Sequence, residues 1–259
     1  MKISLITAVY NNASGLRSSL FSSFQQSHPL VERIVIDGGS TDGTLKVLEE
    51  YATKLDHIVS ESDDGIYDAL NKGIQLATGD IVGILHSDDL FAECDTLAKI
   101  AHSMEERDVQ FLYGDLNYVR AENPDEVVRY WKAGKFRLEQ LKKGWMPPHP
   151  TVYVRRALYE KHGSYNLQYK IAADYDWMLR LLKKNSLSID YLPEVLVHMR
   201  TGGASNRSLK NIWKKTCEDY AILKDHKIGG FPTLLHKNLR KLNQFWKRQN
   251  GSEFSSALS

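Results

Sequence analysis

The chain has only two cysteines in 259 residues, Cys94 and Cys217, and they stand in unrelated contexts. That scarcity excludes a disulfide framework and a cysteine-based zinc site, and it fits a reducing cytoplasm. Nowhere does an apolar run reach the roughly 20 residues that span a bilayer. The apolar start, MKISLITAVYNN, is short and is followed by no small-residue cleavage site, so it reads as a first β-strand and not as a signal peptide. Internal repeats and low-complexity segments are lacking, and no nucleic-acid recognition motif is found, which argues against a nucleic-acid partner. With 42% hydrophobic and 25% charged residues, the composition is too balanced for disorder. The length allows one large core with a small appendage.

Net charge is +2, but its distribution is uneven. Residues 1–206 carry 23 basic and 28 acidic groups, whereas residues 207–249 carry 11 basic and 3 acidic. This divides the chain into an acidic body, 1–206, and a basic extension, 207–249, that suits an anionic partner. Residues 250–259 contain Gly-Ser-Glu-Phe, which two common restriction sites encode, and read as a cloning scar.

Short apolar runs alternate with amphipathic stretches in the first half. The pattern predicts strands at 3–9, 31–37, 57–60 and 81–85, and helices at 12–26, 44–54 and 66–77. Such repetition implies an α/β fold with a mostly parallel central sheet and helices on both faces. The second half is less regular. Strands are expected at 111–113, within 118–130, at 151–154 and at 188–191, with helices at 155–162 and 174–184. Two basic amphipathic helices, 208–224 and 233–248, follow and are separated by Gly229, Gly230 and Pro232.

Right-handed crossovers gather the loops after the strand C-termini on one edge, where ligands of open α/β sheets bind. Acidic residues crowd into those loops: Asp37-Gly38-Gly39-Ser40-Thr41-Asp42-Gly43-Thr44, then Glu61-Ser62-Asp63-Asp64-Gly65, then His86-Ser87-Asp88-Asp89. Crowded carboxylates repel unless a cation sits among them. The Asp37–Thr44 loop fits either a capped glycine turn or a nucleoside pocket. It is neither a Walker phosphate loop nor a Rossmann turn. Asp88-Asp89 fits either a Mg²⁺ or Mn²⁺ site of hard oxygen ligands or the acidic start of the next helix.

Together, ITAVYNN, DGGSTDGT, SESDDGIYDALNKGIQLATGD, ILHSDD and AADYDWMLRL resemble the family 2 glycosyltransferases of the GT-A fold. The match runs over residues 3–185 in the family's order, and the Glu61–Gly73 segment is similar to bacterial members that build surface polysaccharides. No Gln-x-x-Arg-Trp motif of processive synthases is present. The resemblance implies an inverting, non-processive, metal-dependent enzyme that moves one sugar from a nucleotide diphosphate sugar to an acceptor hydroxyl. O-antigen, capsule or exopolysaccharide synthesis on a lipid-diphosphate-linked acceptor is the expected setting.

Roles follow residue by residue from that resemblance. Asp174 is the expected general base, with Ala173 where relatives often carry Glu and Asp176 as the rival. Thr7, Val9, Tyr10, Asn11, Asp37, Asp63, Lys72, His149 and Arg200 are expected at the donor, and Asp88, Asp89 and His198 at Mn²⁺ or Mg²⁺. His86 stands where many relatives have Asp or Asn, and is not expected to be a ligand. Gly202 and Gly203 are expected to let the segment after His198 close over the donor. The basic helices fit either a surface resting on anionic lipid or a pair packed on the body. The first reading places the enzyme in the cytoplasm, peripheral at the inner face of the membrane. Two alternatives are a sugar nucleotidyltransferase, for which the N-terminal loop lacks the usual glycine and basic residues, and an inactive sugar-nucleotide-binding protein.

Overall fold

Strand β1 (Ile3–Val9) is buried at every position, as a continuous apolar run requires when both faces of the sheet are covered. It pairs in parallel with β2 (Val31–Asp37) and β4 (Ile81–Ile84), and β2 pairs in parallel with β3 (His57–Ser60). Helices α1 (Ala13–Phe24), α2 (Thr44–Tyr51) and α3 (Ile66–Leu76) connect these strands. The computed structural model describes residues 1–184, 186–201 and 209–243.

Side chains alternate across β1 and so enter different layers. Ile6 and Ala8 join Ile34, Ile36, Leu70 and Ile74 on one face. On the other, Ile3 and Leu5 pack with Leu97 and Ile100, and Val9 packs with Leu16 and Leu20. At Gly73 of α3 an added Cβ would lie 2.5 Å from a methyl of Ile6, so glycine is what lets the helix settle this close to the sheet. Register then decides the functional geometry. Val9 lies beside Asp37 and Asp37 beside Ser60, so these strands finish on one edge.

Beyond β4 the sheet becomes mixed. Strand β8 (Tyr153–Arg155) is antiparallel to β4, and β6 (Phe111–Val119) is antiparallel to β8. Strand β9 (Ile189–Arg200) is parallel to β6, and β5 (Asp89–Phe91) is antiparallel to β9. Strand β7 (Val127–Trp131) pairs with β6. The order is β3-β2-β1-β4-β8-β6-β9-β5. Helices α4 (Thr96–Glu106), α5 (Ala157–His162) and α6 (Ala173–Leu182) complete the body.

Two expectations change here. The strand expected at 188–191 continues to Arg200, because a register shift between Tyr113 and Asp115 of β6 lets β9 run on past Pro193. His198 and Arg200 therefore stand in a strand and not in a closing segment. Gly202 and Gly203, like the helix residues expected beyond 243 and the segment 250–259, lie outside the described residues. Asp89 opens strand β5 and does not start a helix, since α4 begins at Thr96 after Asp95.

Helices α7 (Leu209–Asp225) and α8 (Phe231–Asn243) pack on the body. Ile222, Leu223 and Leu234 are buried in the same cluster as Trp177, Met178 and Leu181 of α6. A buried ion pair, Lys237 Nζ to Asp219 Oδ1 at 2.6 Å, joins α8 to α7, and the same ammonium lies 3.2 Å from the Tyr175 ring centroid. Of the two readings of the basic extension, packing on the body accounts for its inner face. Leu223→Ala is expected to cost about 2–5 kcal/mol, as a buried leucine in a shared core does. Urea unfolding checks this, and a loss below about 0.5 kcal/mol would mean that α7 is not part of the cooperative unit.

Candidate active site

The loop after β2 is organised from within. Asp37 is fully buried, and its carboxylate accepts from the Ser40 N–H at 3.0 Å, from the Ser40 hydroxyl, and from Ser60 Oγ at 2.7 Å. Three of its roughly four lone-pair sites thus hold the turn. Asn11 takes a left-handed backbone (φ 48°), donates its N–H to Ser40 Oγ at 2.8 Å, and accepts from the Thr41 N–H at 2.8 Å through Oδ1. Tyr10 beside it is exposed and available to a flat ligand. Thr7 and Val9, also expected at the donor, belong to β1 itself. Both side chains are buried inside the sheet, and the Val9 carbonyl is taken by the Gly38 N–H at 2.9 Å.

Asp63 leans over the same loop. Its Oδ1 accepts from the Gly65 N–H at 2.9 Å, and its Oδ2 lies where a Cβ on Gly38 would come within 2.6 Å. Gly38 therefore lets the loops after β2 and β3 meet. Lys72 is engaged by Glu61 at 2.8 Å and the Ser62 carbonyl at 3.1 Å, with Asp68 at 3.6 Å. Hydrogen bonding to Glu61, which outweighs a small burial effect, raises its pKa. Lys72 thus fastens the Glu61–Gly65 loop.

At the end of β4 the chain turns into the carboxylate pair. Asp88 Oδ1 accepts from Asn12 Nδ2 at 2.6 Å, and Asn12 Oδ1 caps α1 through the Gly15 N–H at 3.2 Å. Asp89 is 1% exposed, and its Oδ2 has no hydrogen-bond partner among the described residues. Burial first, then the Asp88 charge, push its pKa well above the usual carboxylate range against the opposing pull of Arg200. A buried, unpartnered carboxylate oxygen next to a second carboxylate is what a hard cation would satisfy, so Asp88 and Asp89 fit a Mg²⁺ or Mn²⁺ ion. His198 does not fit with them. It faces Leu90 across the β5–β9 ladder while Asp89 faces Met199, so Asp89 and His198 project to opposite sides of the sheet. No group of three or more His, Cys, Asp or Glu side chains is placed for a metal among the described residues. The remaining ligands of such an ion would come from phosphate and water.

Asp174 lies half-buried in the first turn of α6. Tyr67 Oη, on α3, sits 2.9 Å from Asp174 Oδ1 and 2.9 Å from the Ile171 carbonyl. Burial acts to raise the Asp174 pKa, but His149, Lys215, the Tyr67 hydroxyl and Lys237 outweigh it and hold the carboxyl below its usual value. The rival Asp176 points elsewhere, with His226 Nε2 at 2.7 Å and Arg180 Nε at 3.1 Å. His149 is buried, bonds Tyr165 Oη at 2.9 Å through Nε2, and places its ring 5.8 Å from that of His86. Burial, then His149, push the His86 pKa down to about 4 against the attraction of Asp174. The His86 carbonyl accepts from the Asp89 N–H at 2.9 Å just after β4, while Tyr67, which meets Asp174, opens α3 just after β3. The two carboxylate sites share one edge of the sheet.

Tyr67, Tyr165 and the placement of His86 escaped the sequence reading. Tyr67 and Asp174 are 107 residues apart, and nothing in either segment signals the pairing. A separate groove of about 720 Å³, lined by Arg17, Phe21, Tyr51, Phe91, Cys94 and Arg200, lies beside β5 and includes neither Asp88, Asp89 nor Asp174. Arg200 belongs to it while also acting electrostatically on Asp89.

Comparison with known proteins bears on the family and the fold. The family model described as Glycosyl transferase family 2 matches residues 4–163. A PGL/p-HBAD biosynthesis glycosyltransferase of Mycobacterium bovis is 34% identical over 208 residues, covering 78% of each chain. An uncharacterized glycosyltransferase of Mycobacterium tuberculosis is 33% identical over 187 residues, covering 69% of this chain and 68% of that one. Among solved structures, S. aureus TarS 1-349 in complex with UDP-GlcNAc superposes with a TM-score of 0.66 at 20% identity, over 86% of this chain and 66% of that one. The chain spans 39% of a longer TarS structure. The mannosyltransferase PcManGT of Pyrobaculum calidifontis, in complex with GDP-Man and Mn²⁺, gives 0.64 at 21% identity, over 95% and 71%. At these identities the structural likeness speaks for the fold, and the sequence matches speak for the family. The chain therefore belongs to glycosyl transferase family 2 and is a glycosyltransferase with the GT-A fold.

Proposed function

We propose that the enzyme transfers one sugar from a nucleotide diphosphate sugar to an acceptor hydroxyl by a single in-line displacement with inversion, with Asp174 as general base. The observation that carries this reading is the shared edge: Tyr67, in the first turn of α3 after β3, bonds Asp174, and His86, after β4, accepts from the Asp89 N–H. As the acceptor oxygen bonds to the anomeric carbon, its proton passes to the Asp174 carboxylate, and the bond to the diphosphate breaks with its electron pair leaving on phosphate oxygen. The Tyr67 hydroxyl fixes the carboxylate for that step. A cation held by Asp88 and Asp89 would supply neutralising charge for the departing diphosphate. Tyr10, Asn11 and Asp63 line the loops that would receive the nucleoside, and His149 lies beside the base. Bound UDP-GlcNAc and GDP-Man with Mn²⁺ in the two structural neighbours support a nucleotide-sugar donor and a divalent ion.

A lipid-linked acceptor at an anionic membrane is part of the same proposal. Trp213 is 71% exposed and Phe231 67% exposed, with Ile212, Leu235 and Leu239 also exposed. Lys214, Lys224 and Lys227 are exposed on the same two-helix unit. Apolar groups among lysines are what an interfacial element needs. No helix among the described residues is long and apolar enough to cross a membrane.

A panel of UDP-, GDP- and dTDP-sugars with Mn²⁺, scored for nucleotide release, identifies the donor, and no release with any of them would favour a binding protein. Asp174→Asn is expected to keep donor affinity and lose about 10²-fold or more in transfer. Near-normal turnover would remove Asp174 from the base role. Asp89→Ala is expected to abolish the part of donor binding that Mn²⁺ stimulates, read by calorimetry with and without chelator. Unchanged metal dependence would place the ion elsewhere. For the membrane, deletion of the helices would uncover the core, so surface variants are the cleaner probe. Trp213→Ala with Phe231→Ala is expected to lower sedimentation with phosphatidylglycerol-containing vesicles by about 10-fold or more. Equal sedimentation would defeat the membrane reading.

A further inference from the structure

Helix α6 begins without a side-chain cap of its own, because its N-cap position is Ala172. The N-cap amide of Ala172 and the two amides before it are held from another helix. The Glu218 carboxylate of α7 accepts from three consecutive backbone N–H groups: Lys170 at 3.0 Å through Oε1, then Ile171 at 2.8 Å and Ala172 at 3.0 Å through Oε2. Successive N–H groups turned to one point form a concave anion site, and here the anion is part of the protein. The Ile171 peptide is held at both ends, since its carbonyl lies 2.9 Å from Tyr67 Oη, the hydroxyl that also meets Asp174. Lys170 adds a weaker tie, Nζ to the Asp64 carbonyl at 3.4 Å, toward the loop after β3.

We propose that Glu218 is a positioning residue for catalysis: by holding the three amides that lead into α6 it sets where the Asp174 carboxylate stands. This rests on the reading of Asp174 as the base. The basic extension would then be a working part of the active site as well as a surface element, although it lies wholly outside the residues 4–163 that the family model covers. Glu218 touches neither sugar nor phosphate in this arrangement. Its effect passes through three amides and one peptide. Displacement of a base by about 1 Å costs up to about 10²-fold in rate, and donor binding does not depend on that placement.

The test compares Glu218→Gln, Glu218→Ala and Asp225→Asn with the wild-type chain. Asp225 is a control on the same helix, where it accepts from Tyr169 Oη at 2.6 Å and makes no contact with the 170–172 amides. Amide hydrogen exchange needs no substrate. Glu218→Gln is expected to speed exchange at residues 170–172 by about 10-fold while the melting of the whole chain stays cooperative, as loss of a cap opens a turn locally. With the donor that gives the highest turnover in the panel, Glu218→Gln is expected to lower kcat about 10-fold, and Glu218→Ala further, with the donor KM within about 2-fold of wild type. Unchanged protection of the 170–172 amides would overturn the proposal, as would a wild-type kcat in both Glu218 variants. An equal loss of kcat in Asp225→Asn would also overturn it, since general loosening of α7 would then suffice. Asp174→Asn separates the two levels: normal turnover there defeats the base reading, whereas an inactive Asp174→Asn beside fully active Glu218 variants defeats only the positioning.

Discussion

Parallel pairing of β1 with β2 and β4 is the constraint on which the active site depends. Parallel strands need long crossovers, and helices α1, α2 and α3 supply them, so every strand of this half runs in the same direction and ends on the same edge. Ser40, Asp63 and Asp88 come from three different loops, and that geometry sets each against another loop: Ser40 on Asn11, Asp63 beside Gly38, Asp88 on Asn12. Asp37 bonds Ser60 of the neighbouring strand, and Asn12 bonds Asp88 across 76 residues. The polar groups of the site are stitched to one another before any ligand arrives, which reduces the reorganisation left for binding.

Electrostatics divides the three acidic centres by environment. Asp37 lies buried but surrounded by donors, and it serves as the internal scaffold of its loop. Asp89 is equally buried and lacks a partner on Oδ2 among the described residues, and burial and Asp88 disfavour its charged form. Asp174 is kept ionised by histidine, lysine and tyrosine around it. Asp89 and Asp174 thus differ in readiness for charge, and the difference lies in what surrounds each one.

Packing of α7 and α8 onto α6 joins the basic extension to the body. The inner face holds Ile222, Leu223, the Lys237–Asp219 pair and Glu218, and the outer face carries Trp213 and Phe231. One helix pair therefore presents a packed inner face to α6 and an apolar outer face to solvent. The sequence pattern pointed to a basic amphipathic pair, but an amphipathic helix does not say which body its apolar stripe covers.

Local order was largely legible in the residues. The apolar runs at β1, β2 and β4 and the helical spacing of Leu16 and Leu20 or Leu70 and Ile74 follow from periodicities of two and 3.6, which are properties of the backbone alone. The loop carboxylates Asp37, Asp63, Asp88 and Asp89 were found because strand ends collect on one edge in any parallel α/β sheet. What only the tertiary structure decided are relations between distant segments. Thr7 and Val9 are consumed by the core, β9 runs through Pro193 by means of a register shift, and His198 is turned away from Asp89 by the β5–β9 register. Tyr67 reaches Asp174 and Glu218 reaches Ala172 only after α3, α6 and α7 pack. Side-chain direction and hydrogen-bond partnership across a fold depend on how elements are set against each other, and a single linear pattern carries no coordinate for that.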